Sequence, residues 1–127
     1  MLKKKKSTAR KKSKRQLGDD GENQAIKYLL DQGFQILDRN FQVKHKEIDI
    51  IAFDQELQEV VFIEVKMRKS GKFGHPSLAV SQKKLNHINI AAQIYLDKKG
   101  LANNYRFDII SILPHKLEHF KNVSFAL

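Results

Sequence analysis

Glu47-Ile48-Asp49-Ile50-Ile51-Ala52-Phe53, then Asp54-Gln55-Glu56-Leu57-Gln58, then Glu59-Val60-Val61-Phe62-Ile63-Glu64-Val65-Lys66-Met67: this stretch decides the fold. Both flanks are rich in β-branched and aromatic residues, and the segment between them is short and polar, so they read as two strands of a hairpin. Placing Asp54 opposite Glu59 predicts that Asp49 faces Glu64 and Glu47 faces Lys66. Alternation sets Glu64 and Lys66 on one face of their strand and Ile63 and Val65 on the other.

The chemistry lies where this apolar pattern is interrupted. Facing positions on one side of a sheet have Cβ atoms about 4.5–5.5 Å apart. Two carboxylates that close repel unless a proton or a cation joins them. A hard divalent cation such as Mg²⁺ (or Mn²⁺) takes one or two carboxylates together with substrate phosphate oxygens. It would activate water for attack on phosphorus, with Lys66 orienting that water or stabilising the developing charge. A plainer reading stays open at this point: Lys66 pairs with Glu47 across the hairpin, and Asp49 and Glu64 lie on a solvated face.

Outward from the hairpin, Asp19 to Gly33 reads as a helix, with Asp19 or Asp20 as cap and Glu22 three residues after Asp19 in the manner of a capping box. Ala25, Ile26, Leu29 and Leu30 give it an apolar face. Phe34 to Val43 reads as a strand broken or bulged near Arg39-Asn40, and Lys69–Pro76 as a basic, glycine-bearing loop. Ser77 to about Asp97 reads as a second helix closed by Gly100, and Arg106–Leu113 as a fourth strand. Leu117–Leu127 is either a short edge strand or an irregular tail. A strand, a long helix and a strand imply a crossover that sets the fourth strand parallel to the third. The expected architecture is an α/β domain of order α-β-β-β-α-β, a mixed sheet flanked by helices.

Composition limits what such a domain does. The 127 residues suit one domain, and 41% hydrophobic content supports one modest core. No apolar run reaches the roughly 20 residues of a membrane span, and none follows Arg15 to make a secretory signal. With no cysteine there is neither disulfide framework nor thiolate metal site. That fits a reducing, cytoplasmic setting. The net charge of +10 is concentrated: nine of the 24 Lys and Arg fall within residues 1–16, leaving 15 against 14 acidic residues elsewhere. Residues 1–16 are therefore expected to be a disordered basic tail and 17–127 the folded domain. Such a tail attracts nucleic acid by counterion release; a solubilising tail and a handle for anionic membrane are competing readings. The five histidines lack zinc-ligand spacing, Gly71 and Gly74 do not form a nucleotide-binding loop, and Asp108 is expected to pair with Arg106 or a cap.

Asp49 followed by Glu64-Val65-Lys66 after a hairpin resembles the PD-(D/E)xK motif of the restriction-endonuclease-like superfamily. More narrowly, the chain resembles the YraN-like family of small bacterial proteins, distantly similar to archaeal Holliday-junction resolvases. The likeness runs from about Gly18 to Asn122. It rests on Gly21-Glu22, Ala25, Tyr28-Leu29, Gly33, Arg39-Asn40, Glu47 to Ala52, Phe62 to Lys66 with Arg68, Phe73-Gly74 and Pro76. Ala79-Val80, Lys84, Arg106-Phe107-Asp108, His119 and Asn122 complete the set. One departure is Lys46, where the family usually has glycine. The resemblance implies a metal-dependent nuclease of DNA, with branched or structured substrates as one possibility. Asp49 and Glu64, with the Val65 carbonyl, would bind metal, and Lys66 would assist the attacking water. Glu22 is either an accessory acid or a helix cap. Lys84 is either a phosphate contact or a solvated lysine. Arg68, Lys69 and Lys72, with His75, are candidates to hold a phosphate backbone. Many such enzymes cut two strands as dimers, so a homodimer is a further expectation. The rival reading is a nucleic-acid-binding module of nuclease fold with little or no catalysis. A structural protein whose tail targets membrane or ribosome ranks last.

Overall fold

The computed structural model describes residues 14–69 and 81–123, with side chains from Asp20 onward. The elements run α1 (Lys14–Asp31), β1 (Phe34–Val43), β2 (Lys46–Asp54), β3 (Glu59–Met67), α2 (Gln82–Lys99), β4 (Asn104–Ile112) and β5 (Leu117–Phe120). The five strands form one sheet in chain order, β1-β2-β3-β4-β5. β3 and β4 are parallel, joined by the crossover through α2, and the other neighbours are antiparallel. This is the mixed sheet flanked by helices that the sequence predicts, with β5 resolving the open reading of the C-terminal segment.

Each face of the sheet is closed by one helix. Ala25 and Leu29 of α1 pack on Ile50, Ala52, Val61, Ile63, Ile110 and Ile112. On the other face Ile88, Ala91, Ala92, Tyr95 and Leu96 of α2 pack on Ile48, Ile51, Val60 and Phe62. A strand covered on both faces reads as a near-continuous apolar run, which is why β3 carries Val60, Val61, Phe62 and Ile63 in succession. Ser81 caps α2 by accepting from the Lys84 N–H at 3.1 Å, and Gly100 closes it in the left-handed conformation at φ 65°.

Several boundaries differ from those predicted. The start of α2 is Gln82 rather than Ser77, because the hydroxyl of Ser81 supplies the cap. α1 begins at Lys14, so Lys14-Arg15-Gln16, expected in the tail, open the helix. Lys, Arg and Gln are good helix formers and extend a helix that the downstream face anchors. Asp19 thus lies within the helix rather than at its N-cap position, and the capping-box reading of Glu22 goes with it. Residues 1–13, and Lys72 and His75 of the basic loop, lie outside the described residues. In β1 the register shifts between Ile36 and Asp38, earlier than Arg39-Asn40, while Asn40 adopts φ 53°. Asparagine tolerates that conformation, so the cue marked the backbone twist rather than the bulge. The β1–β2 turn puts its left-handed residues at Lys44 and His45 (φ 50° and 63°), and Lys46 pairs with Val43 as ordinary strand.

Candidate active site

The hairpin register is the predicted one from Asp54↔Glu59 to Ile50↔Ile63, and there the ladder stops. On the other side, β1 and β2 pair through Arg39↔Ile50 and Phe41↔Ile48, passing over Asn40 and Asp49. Asp49 is therefore in neither ladder. Ile48 packs toward α2 and Ile50 toward α1, so the two-residue alternation of the strand is broken at this position. Freed from the ladder, the Asp49 carboxylate reaches across to β3 and accepts the Val65 N–H at 2.8 Å. The acid thus lies against the main chain between Glu64 and Lys66, not in a simple facing pair with Glu64.

Glu64 is the second acid, with its side chain 12% exposed. Its Oε2 carries two ammonium groups, Lys66 Nζ at 3.6 Å and Lys84 Nζ at 3.5 Å. Lys66 therefore pairs with Glu64, two residues away on its own strand, rather than with Glu47. Lys84 is placed by the first turn of α2. The sequence left it either at the site or in solvent, and the structure puts it on Glu64.

Burial pushes the Asp49 carboxyl up to about 7, and the charge of Glu64 adds to it. The Val65 N–H pulls the other way, while Glu22 and Glu47 raise it further. Glu22 is thus close enough to contribute to the field at Asp49, and its Oε1 lies 3.4 Å from Arg39 Nη2. Arg39 was read as part of a strand irregularity and of the family likeness, with no role at the site. Its contact with Glu22 spans 17 residues of sequence, and no local spacing signals it. Ser111 was also missed. It is the register neighbour of Lys66, fully buried, and its Oγ has no hydrogen-bond partner among the described residues. A single hydroxyl within Ile109-Ile110-Ser111-Ile112 was the available signal.

The donor set suits a hard divalent cation. Asp49 and Glu64 would supply carboxylate oxygens to such a cation, and the Asp49 carboxyl is raised chiefly by burial, with the charge of Glu64 adding to it. Among the described residues no group of three or more His, Asp or Glu side chains is placed to hold a metal. A cation here would thus share its coordination with substrate oxygens, as Mg²⁺ commonly does.

Arg68 and Lys69 do not join this cluster. They line a separate cleft with Gln24, Met67, Ile112, Leu113 and Pro114.

A second polar cluster occupies the α1 face. Buried Arg106 donates to Asp108 at 2.9 and 3.2 Å, to Asp54 at 3.0 Å and to Glu59 at 2.6 Å. Asp108 also meets His119 Nε2 at 2.7 Å and accepts the Asn122 N–H at 2.9 Å, and His119 Nδ1 lies 2.9 Å from the Tyr28 hydroxyl. The predicted Asp108–Arg106 pair is present, and His119, for which the sequence offered no role, ties β5 and α1 to it. Among the described residues no helix is long and apolar enough to cross a membrane.

Known proteins share both the sequence and the fold. Residues 21–112 match the uncharacterised protein family UPF0102. A UPF0102 protein of Thermodesulfovibrio yellowstonii is 43% identical over 110 residues, covering 87% of this chain and 96% of that protein. Another, of Hahella chejuensis, is 50% identical over 95 residues, covering 74% and 75%. Among solved structures, Hjc of Archaeoglobus fulgidus, described as a Holliday junction resolvase, superposes with a TM-score of 0.53 at 19% identity, over 84% of this chain and 77% of that one. That likeness carries the nuclease-like fold. The motifs around Asp49 and Glu64-Val65-Lys66 and this match agree: the chain belongs to family UPF0102, the YraN family, and has the restriction-endonuclease-like fold.

Proposed function

We propose that this chain is a divalent-metal-dependent nuclease that hydrolyses phosphodiester bonds in DNA. The observation that carries the reading is the Asp49 carboxylate, which stands outside both ladders and accepts the Val65 N–H at 2.8 Å, beside Glu64 in the chain. A purely structural acid has no need of such a place outside the pairing. It would be compensated by a cation, as Asp108 is by Arg106.

In this reading each residue has a defined task. Asp49, held by the Val65 N–H, and Glu64 present carboxylate oxygens for a divalent cation, with the Val65 carbonyl as the further ligand that the motif implies. A cation bound there supplies positive charge against the phosphoryl oxygens and acidifies water. Lys66 and Lys84, gathered on Glu64, offer ammonium groups to the phosphate undergoing attack, where fixed charge is worth most in the transition state. Glu22 tunes the field at Asp49 and is itself held by Arg39. Lys69 and the nine basic residues within 1–16 supply non-specific attraction to the polyanion. Branched or structured DNA, and a homodimer spanning two strands, extend this reading from the resolvase likeness and are tested with it.

The purified chain with Mg²⁺ or Mn²⁺ is offered single-stranded, duplex and branched DNA and RNA. Cleavage is expected to fall by about 10²–10³ in Asp49→Asn, Glu64→Gln and Lys66→Met alike, each still folded. Binding that survives these changes, with no cleavage by the parent under either metal, sinks the enzyme and leaves the binding module.

A further inference from the structure

β3 runs on from Glu64 and Lys66 into a second concavity. Met67, Arg68 and Lys69 form one side of a cleft of about 350 Å³, with Ile112, Leu113 and Pro114 from the end of β4 and Gln24 from α1 making the rest. The volume is at the small end of small-molecule sites. It suits one nucleotide and is far too small for a duplex. Its walls are apolar and held in place. Met67 is 46% exposed, and Gly21 leaves its thioether room: a Cβ there would lie 2.5 Å from Met67 Sδ. The Arg68 N–H donates to the Ile112 carbonyl at 2.9 Å, which locks the two sides together.

The polar part of the cleft points to the ligand. Arg68 Nε is buried and has no hydrogen-bond partner among the described residues. That nitrogen is closed to a ligand, so what the cleft offers is the cationic Arg68 side chain in its lining, which draws an anionic group. Lys69, next along the chain, is exposed at the rim. A flat group with apolar faces, acceptors on its edge and an anionic attachment matches this lining. Bases stack on such surfaces whatever their identity, and cations beside them track the backbone. Resting on the nuclease reading, we propose that the cleft holds one unpaired base of a single-stranded segment, with its phosphate on Arg68 and Lys69. The substrate class is then nucleic acid with an unwound or single-stranded stretch next to the cut, not continuous duplex.

The test separates bases from charge. The full chain in EDTA, where nothing is cut, is titrated by fluorescence anisotropy with a 12-nucleotide oligothymidine and with an abasic deoxyribose-phosphate strand of equal length and charge. The oligothymidine is expected to bind about tenfold more tightly. Met67→Ser should collapse that ratio toward one while leaving affinity for the abasic strand unchanged. Should Met67→Ser fail to fold, Pro114→Ala at the exposed opposite wall is expected to reduce the ratio too. Equal binding of the two strands by the parent overturns the proposal, as does a preference that survives both changes or no binding at all. A parent that cleaves with Mg²⁺ yet holds both strands equally loses the cleft and keeps the nuclease. One that prefers the base-bearing strand but never cleaves keeps the cleft and loses the nuclease.

Discussion

Asp49 and Asp108 are both acids held within one sheet, yet their surroundings treat them oppositely. Burial pushes Asp108 up, but His119, Arg106 and the Asn122 N–H outweigh it and hold the carboxyl below the usual range. Asp54 behaves likewise, with burial overcome by the Leu57 N–H, Arg106 and the Glu56 N–H. At Asp49 burial and the neighbouring acids act together against the Val65 N–H, and the carboxyl is raised to about 7. The Arg106 cluster is complete as built and behaves as a fastener. In the Asp49–Glu64 cluster both ammonium groups lie on Glu64, while Asp49 rests on the Val65 N–H. The contrast distinguishes the two acids by what compensates each, which burial alone does not do.

The strongest way to break the contrast is to remove the cation of the complete cluster. Arg106→Met leaves Asp54, Glu59 and Asp108 facing one another in a buried setting, and uncompensated buried charge costs about 3–5 kcal/mol. Urea unfolding is expected to show a midpoint lowered accordingly at pH 7. A midpoint unchanged at pH 7 would mean that this network holds nothing together.

Asp49 should answer in the other direction. Its folded pKa of about 7 lies above the unfolded value, so the native state binds the extra proton between about pH 4 and 7. Stability from this group is full below about pH 4 and is lost as pH rises through 7, with a slope of up to about 1.4 kcal/mol per pH unit. Asp54 and Asp108 have lowered values, so their contribution is present at neutral pH and lost on acidification. In Asp49→Asn the decline between pH 4 and 7 should vanish while the acid limb stays. Mg²⁺ should raise the melting temperature of the parent more at pH 8 than at pH 5, and that of Asp49→Asn at neither. A Mg²⁺ effect independent of pH would detach the cation from Asp49.

The sequence reached the hairpin because its signals are local. Alternating β-branched residues around a polar turn set a register, and from Ile50↔Ile63 to Asp54↔Glu59 that register holds. What it could not reveal is where the register ends. The broken alternation at Asp49 depends on Ile48 and Ile50 choosing opposite helices, a decision made by packing across the sheet. The same limit explains Arg39 on Glu22 and His119 between Asp108 and Tyr28, which join segments up to 91 residues apart. The Asp19 cap failed for a different reason: a capping pattern is weak beside a run of good helix formers that continues upstream.

The smallest effect is the sharpest discriminator. Lys84 is nearly half exposed and shares Glu64 Oε2 with Lys66, so its ion pair contributes within about 0.5 kcal/mol to stability. Lys84→Ala should therefore leave the urea midpoint almost where it is, unlike Arg106→Met. Glu64 is then left with one ammonium group in place of two, and a divalent cation meets less competition for its oxygen. The Mg²⁺ concentration that half-saturates the rise in melting temperature should fall in Lys84→Ala, even as turnover drops through the loss of a phosphate contact. Were the half-saturating concentration to climb instead, Lys84 would be supporting Glu64 as Arg106 supports Asp108, and the two clusters would be variants of a single structural device.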